Sequence, residues 1–145
     1  MKLSGASLVS ILAAGLVSAQ EPLFSVTGFS AGATPHSSVG HVDFSVSFDG
    51  ASETKCSAKP QTAQSFPNVS SKTTCADPKT SFSLTRQPNS SADLEIWREV
   101  SPGVFRHGRR VILAKQIVWG NQQPNPNGAI ESYVGPDSFT FSADK

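Results

Sequence analysis

The sequence predicts an all-β fold, a single antiparallel β-barrel or β-sandwich domain of about seven to eight strands. Three observations point there. Apolar and polar residues alternate in short runs, with nine Phe residues spaced by Ser and Thr, a pattern that puts one face of a strand on a core and the other in water. The turn dipeptides Pro102-Gly103, His107-Gly108 and Asn127-Gly128 fall between such runs. Beyond the first residues, no long stretch repeats apolar positions at the i, i+3, i+4, i+7 spacing of an amphipathic helix.

The clearest strand is Val42, Phe44, Val46 and Phe48, alternating with Asp43, Ser45 and Ser47. Phe24 and Val26 mark an earlier strand that ends at Gly28, just before Phe29. Phe82 and Leu84, then Leu94 and Ile96, alternate with polar residues in two more. Val104-Phe105 and the nearly continuous Val111 to Trp119 read as two separate strands, and Phe139 and Phe141 as the last. Between them lies a long loop from about Ser57 to Thr73. Loops carry function on rigid β scaffolds, so residues 32–40 and the apolar-free, proline-containing residues 120–127 are the candidate recognition surface.

Residues 1–19 have the three parts of a secretory signal: Lys2, the apolar run Leu8 to Val17, and small residues ending at Ala19. The run is too short for a membrane-spanning helix, and no later segment is apolar enough to be one. Residues 20–145 are therefore expected to form one secreted, extracellular domain, of a size that folds around one core. The whole chain has a formal net charge of +1. Lys2 leaves with the signal, so the mature chain is neutral and is not expected to bind nucleic acid, where phosphate neutralisation supplies the affinity.

Cys56 and Cys75 are the two cysteines. In an oxidising compartment they pair most simply with each other, and such a loop is worth about 3 kcal/mol of chain entropy. Asn68-Val69-Ser70 and Asn89-Ser90-Ser91 are N-glycosylation sequons in polar stretches.

Gly28-Phe29-Ser30-Ala31-Gly32 matches the G-x-S-x-G of serine hydrolases, which place the serine on a strand-to-helix elbow. The residues that follow read as loop, the motif sits on the first strand, and the chain is too short for that fold. Ser30 is thus read as part of a Gly-rich turn, and a hydrolase using it is the alternative. His36, His41 and Asp43 give at most an open, weak metal site. Arg106-His107-Gly108-Arg109-Arg110 is the one basic cluster, read as a hairpin turn whose charges protect strand edges. Asp93, Glu95 and Glu99 form no evident acid/base pair. No catalytic residue, metal ligand or cofactor is assigned. A carbohydrate-binding module would need a planar row of aromatics, and Trp97, Trp119 and Tyr133 are the candidates.

Phe24 to Ala31, followed by Pro35-His36-Ser37, the strand Val42 to Phe48, and later Tyr133-Val134-Gly135-Pro136 before Phe139, resembles small secreted fungal proteins. These include elicitors of the plant hypersensitive response and are similar to the Alternaria major-allergen family. The resemblance implies an extracellular β-barrel or β-sandwich without enzyme activity, acting at a host surface. The chain is accordingly read as a fungal effector or elicitor, expected to be a monomer and to act by binding a host or cell-wall component, protein or polysaccharide. It also implies a further cysteine pair around Pro35-His36-Ser37. Here those positions are Ala33 and Gly40, so the segment between them is expected to be held by backbone hydrogen bonds and packing.

Overall fold

A computed structural model describes residues 22–120 and 129–144; the signal segment and most of the 120–127 loop lie outside them. The described residues form ten strands: β1 Leu23–Ala33, β2 Gly40–Phe48, β3 Thr54–Ala58, β4 Val69–Thr74, β5 Thr80–Arg86, β6 Ala92–Ser101, β7 Val104–Ile112, β8 Ile117–Gly120, β9 Ile130–Tyr133 and β10 Phe139–Ser142. One antiparallel sheet runs β3-β2-β1-β9-β8, with β10 also paired to β1, and a second runs β4-β5-β6-β7. The count passes the expected seven or eight because β3, β4 and β9 are short, four to six residues each, and rich in polar residues. Alternation cannot mark strands that contribute only one or two apolar residues.

Strand β1 does not end at Gly28. It pairs with β2 from Phe24↔Phe48 to Thr27↔Ser45, then shifts register and resumes from Ser30↔Asp43 to Ala33↔Gly40. Gly28 and Phe29 together oppose Phe44, a β-bulge, and Gly28 has φ +63°, a backbone shape that costs glycine little. The extra residue switches the buried phase. Phe24 and Val26 face the core before the bulge, and Phe29, Ala31 and Ala33 after it. The Phe29 N–H, displaced from the ladder, donates to the Asp137 carbonyl at 2.8 Å.

The basic cluster is not a hairpin turn either. Strand β7 is continuous, paired with β6 from Arg98↔Arg106 to Ala92↔Ile112. Gly108 lies inside it and faces the core, where a Cβ would come within 2.8 Å of the Phe24 and Phe141 rings. The expected second strand over 111–119 divides at a 3-10 turn, Ala114–Gln116, into the end of β7 and the start of β8.

The inner faces meet in one core. Phe44 of β2 contacts Phe82 of β5 edge-on, ring centroids 5.0 Å apart, and joins the two sheets. Phe29 touches Phe44, Tyr133 and Phe139 at 5.8, 4.9 and 5.5 Å, and Phe24 stacks on Phe141 at 5.4 Å. Offset and edge-on pairs at these spacings add to simple area burial.

Both seams between the sheets are narrow. At one, Cys56 of β3 and Cys75, just past β4, form a disulfide across 19 positions of sequence. Beside it the Ala76 N–H donates to Lys55 O and the Asp77 N–H to Thr54 Oγ1, both at 2.8 Å, and Asp77 also takes Arg98. At the other, an isolated bridge Gly108↔Ala143 links β7 to the end of β10. The result is barrel-like without a continuous ladder around it.

A polar clamp ties β9 to β5. Glu131, 6% exposed, accepts from the two terminal nitrogens of the Arg86 guanidinium, Nη1 and Nη2, at 2.6 and 3.1 Å, and from the Phe66 N–H at 2.8 Å. The hydrogen bonds from Arg86 hold its carboxyl below the ordinary value of 4.5, against the opposing effect of burial. A lowered native pKa contributes stability that is complete above the unfolded value and is lost as the pH falls through the native one.

Two measurements check this arrangement. Replacing Cys56 and Cys75 together by Ala is expected to lower unfolding stability by about 3 kcal/mol in urea titrations. Glu131→Gln should cost about 3 kcal/mol at neutral pH, because it strands the Arg86 charge, and should flatten the loss of stability that the parent shows on acidification below pH 4.5.

Candidate functional site

The serine of G-x-S-x-G lies in the second half of β1, after the bulge, on the outer face of its sheet. Each glycine of the motif has a structural task. Gly28 supplies the bulge, and Gly32 lets β9 approach, since a Cβ there would sit 2.9 Å from Ser132 Cβ. Ser30 is exposed and hydrogen-bonds across the strand pair to His41, Oγ to Nε2 3.0 Å. Asp43 is the register partner of Ser30, and the described contacts of the His41 ring include no carboxylate. A serine and a histidine are therefore adjacent, but on an open sheet face and without the strand-to-helix elbow that exposes a nucleophile. The sequence suggested no such pairing, because the serine of a turn has no cross-strand neighbour. His36 is exposed in the connecting turn with φ +57°. No group of three or more His, Cys, Asp or Glu suited to a metal occurs among the described residues.

Only the ends of the expected recognition loop 32–40 are strand, Gly32 and Ala33 in β1 and Gly40 in β2. Gly32, Ala33 and Gly40 are buried, and Ala33 and Gly40 are direct partners. The turn between them is tied down: Thr34 N–H donates to Val39 O, Gly40 N–H to Pro60 O and Thr62 N–H to Ser38 O, at 3.2, 2.9 and 2.7 Å. Of 120–127, only Gly120 is described, as the last residue of β8.

The richest constellation lies elsewhere, on the outer face of the second sheet. The pairings Asp93↔Val111, Glu95↔Arg109 and Trp97↔His107 put six side chains in two facing columns on β6 and β7. His107 stacks on Trp97, centroids 5.0 Å apart, and Lys72 from β4 sets its ammonium 4.4 Å from the Trp97 ring centre, a cation–π distance. The two His107 nitrogens face carboxylates, Nε2 to Glu95 Oε1 at 3.1 Å and Nδ1 to Asp144 Oδ2 at 3.0 Å. Arg109 Nη1 lies 3.6 Å from Asp93 Oδ2. The basic cluster is thus split by strand alternation. His107 and Arg109 point outward to acidic partners, while Arg110 covers the Phe139 ring at 4.6 Å.

The three aromatics considered for a sugar platform do not form a row. Trp97 is on the second sheet, half-buried beneath Lys72, and Trp119 and Tyr133 are on β8 and β9 of the first. Tyr133 meets the edge of Phe29, and its hydroxyl donates to Pro136 O at 2.6 Å. Burial pushes its phenol above the ordinary value. Both sequon asparagines are exposed: Asn68 Oδ1 accepts the Arg86 N–H at 3.0 Å, and Asn89 Oδ1 accepts the Ser91 N–H and hydroxyl at 3.1 and 2.6 Å. No helix among the described residues is long and apolar enough to cross a membrane.

The family profile described as Alternaria alternata allergen 1 matches residues 26–115. Two crystal structures of the Alternaria alternata allergen Alt a 1 superpose on the chain with TM-scores of 0.56 and 0.53 at 13% and 14% identity, covering 84% of this chain in each case and 87% and 92% of theirs. At that identity the likeness is one of fold. No curated protein matches the sequence.

The His107 contacts make a measurable claim. His107→Ala is expected to cost about 1–2 kcal/mol in urea unfolding, since the ring's contacts with Trp97, Glu95 and Asp144 are lost, and to speed amide exchange of Asp144. Asp144→Asn should cost less, because that side chain is 73% exposed and exposed ion pairs contribute little.

Proposed function

The chain belongs to the Alternaria alternata allergen 1 family, and from that membership we propose that it is a secreted fungal effector or elicitor, non-enzymatic, that acts by binding a component of a host or cell-wall surface. Residues 1–19 direct export and residues 20–145 are the secreted domain. The disulfide between Cys56 and Cys75 fits an oxidising compartment, and the two sequons fit the same route.

One observation carries the binding reading: the Lys72–Trp97–His107–Glu95 group, held on β4, β6 and β7 of one sheet by stacking and paired charge. A face fixed in this way loses little side-chain freedom when a partner docks, and Trp and charged neighbours are the residue types that anchor interfaces. Its charges neutralise one another locally, which favours a partner of mixed polarity over a polyanion. Ser30 and His36 lie away from this face, on β1 and on the turn that follows it.

Purified mature protein infiltrated into plant leaf is expected to cause localised cell death. Ser30→Ala and His36→Ala should retain the response, whereas Trp97→Ala, with its fold verified by circular dichroism, should lose potency by about tenfold or more. A folded parent that gives no response, or a response abolished by Ser30→Ala, would overturn the proposal. Pull-down on chitin and glucan, run in parallel, separates a wall polysaccharide from a host protein as the partner.

A further inference from the structure

The Asn89 sequon forms one wall of a groove at the end of the four-stranded sheet. This open hollow of about 440 Å³ is lined by Gln87, Asn89, Ser91, Asp93, Arg109 and Val111 among others. Its size is in the range of small-ligand sites, roughly 300–1,000 Å³. We propose that Asn89 carries an N-linked glycan and that the sugar attached directly to it, an N-acetylhexosamine, seats in this groove. The inference rests on the secretion reading above, since only exported chains meet the transferase. That enzyme joins Asn89 Nδ2 to the anomeric carbon of a lipid-diphosphate-linked oligosaccharide. The diphosphate leaves with the electrons of the broken C–O bond, and Nδ2 gives up one proton.

The geometry favours Asn89 in three ways. The β5–β6 hairpin that carries it is closed by Gln87 N–H to Ser91 O at 2.8 Å and Ser90 N–H to Gln87 O at 3.0 Å, with Ser90 at φ +70°. Its tip is a firm mount. Both hydrogen bonds from Ser91 go to Asn89 Oδ1. They fix the plane of the amide and set its oxygen toward Ser91, so the linking nitrogen, in the same plane, points away from Ser91's donors. The groove also matches a sugar's two faces. Val111, 41% exposed and paired with Asp93 across the ladder, offers an apolar wall to ring C–H groups. Arg109 and the Gln87–Asp93 pair, Nε2 to Oδ2 3.0 Å, offer donors and acceptors to the hydroxyl and acetamide groups. Asn68 immediately precedes β4 and does not line this groove, so a glycan there serves as an internal control.

The covered region adjoins the Trp97–His107 face without overlapping it. A glycan seated on Val111 and Arg109 leaves the other end of the sheet open to a partner. It also conceals an exposed valine on β7.

The test uses the full chain expressed in a yeast secretory host. Glycopeptide mapping of protein from the medium is expected to show Asn89 occupied. Enzymatic release of that glycan from the native protein should be slow, and Val111→Ser should speed it about fivefold, the effect of losing one small apolar contact, with release at Asn68 unchanged. Arg109→Ser, also at an exposed position, should act in the same direction. A secreted chain bare at Asn89 would overturn this inference and leave the secretion reading standing, as would equal release rates in parent and both variants. A chain retained inside the cells would overturn the secretion reading, and this inference with it.

Discussion

Strand β1 is the axis of the larger sheet, and the inserted residue at Gly28 decides what each half of it can do. Before the bulge β1 pairs with β10, from Leu23↔Ser142 to Val26↔Phe139; after it, Gly32 meets Ser132 of β9. One strand thereby holds β2 along one side and divides the other side between two partners. The change of buried phase brings Phe29 into the centre of the aromatic cluster. It also puts Ser30 outside, opposite Asp43 and within reach of His41. A side chain at position 28 would resist φ +63°. Without the bulge the second half of β1 would present its polar face to the core.

The two sheets bury their inner faces well but share little backbone pairing. Each seam therefore depends on a local device: the disulfide with its two flanking hydrogen bonds at β3, the Gly108↔Ala143 bridge with the His107 contacts at β7. The Arg86–Glu131 clamp does the same service between β5 and β9. Exposed edges invite pairing with other chains, and here charges, a covalent bond and close crossings take the place of further strand pairing. On the outer face of β4 to β7, Trp97 stacks on His107 and the charges of Glu95, Asp93 and Arg109 have partners within the sheet.

Several features of the surface could be read in advance. The sequons, the two cysteines and the outward face of β6 follow from spacing and alternation alone. Others could not. The cluster Arg106 to Arg110 looks like one charge patch in one dimension, yet strand alternation sends Arg110 to Phe139 and Arg109 to Asp93. His107-Gly108 resembles a turn because glycine usually marks one, whereas this glycine answers a close approach by Phe24 and Phe141. The Gly-x-Ser-x-Gly pattern is likewise satisfied by a bulge and a tight strand crossing.

What the sequence determined by itself was the class of structure. Alternating Phe and Val with Ser and Thr can bury one face only as strands, and strands of that length need a second sheet to cover them. Local chemistry was sufficient for that, and equally for the strands around Val42–Phe48, Phe82–Leu84 and Leu94–Ile96, each of which carries its own buried face. The tertiary structure decided everything that needs two distant segments at once. The short strands β3, β4 and β9 exist because neighbours supply the partners and the apolar cover that they lack. The Ser30–His41 pair, the His107 contacts to Glu95 and Asp144, and the groove at Asn89 all join residues that only the packing of strands brings together.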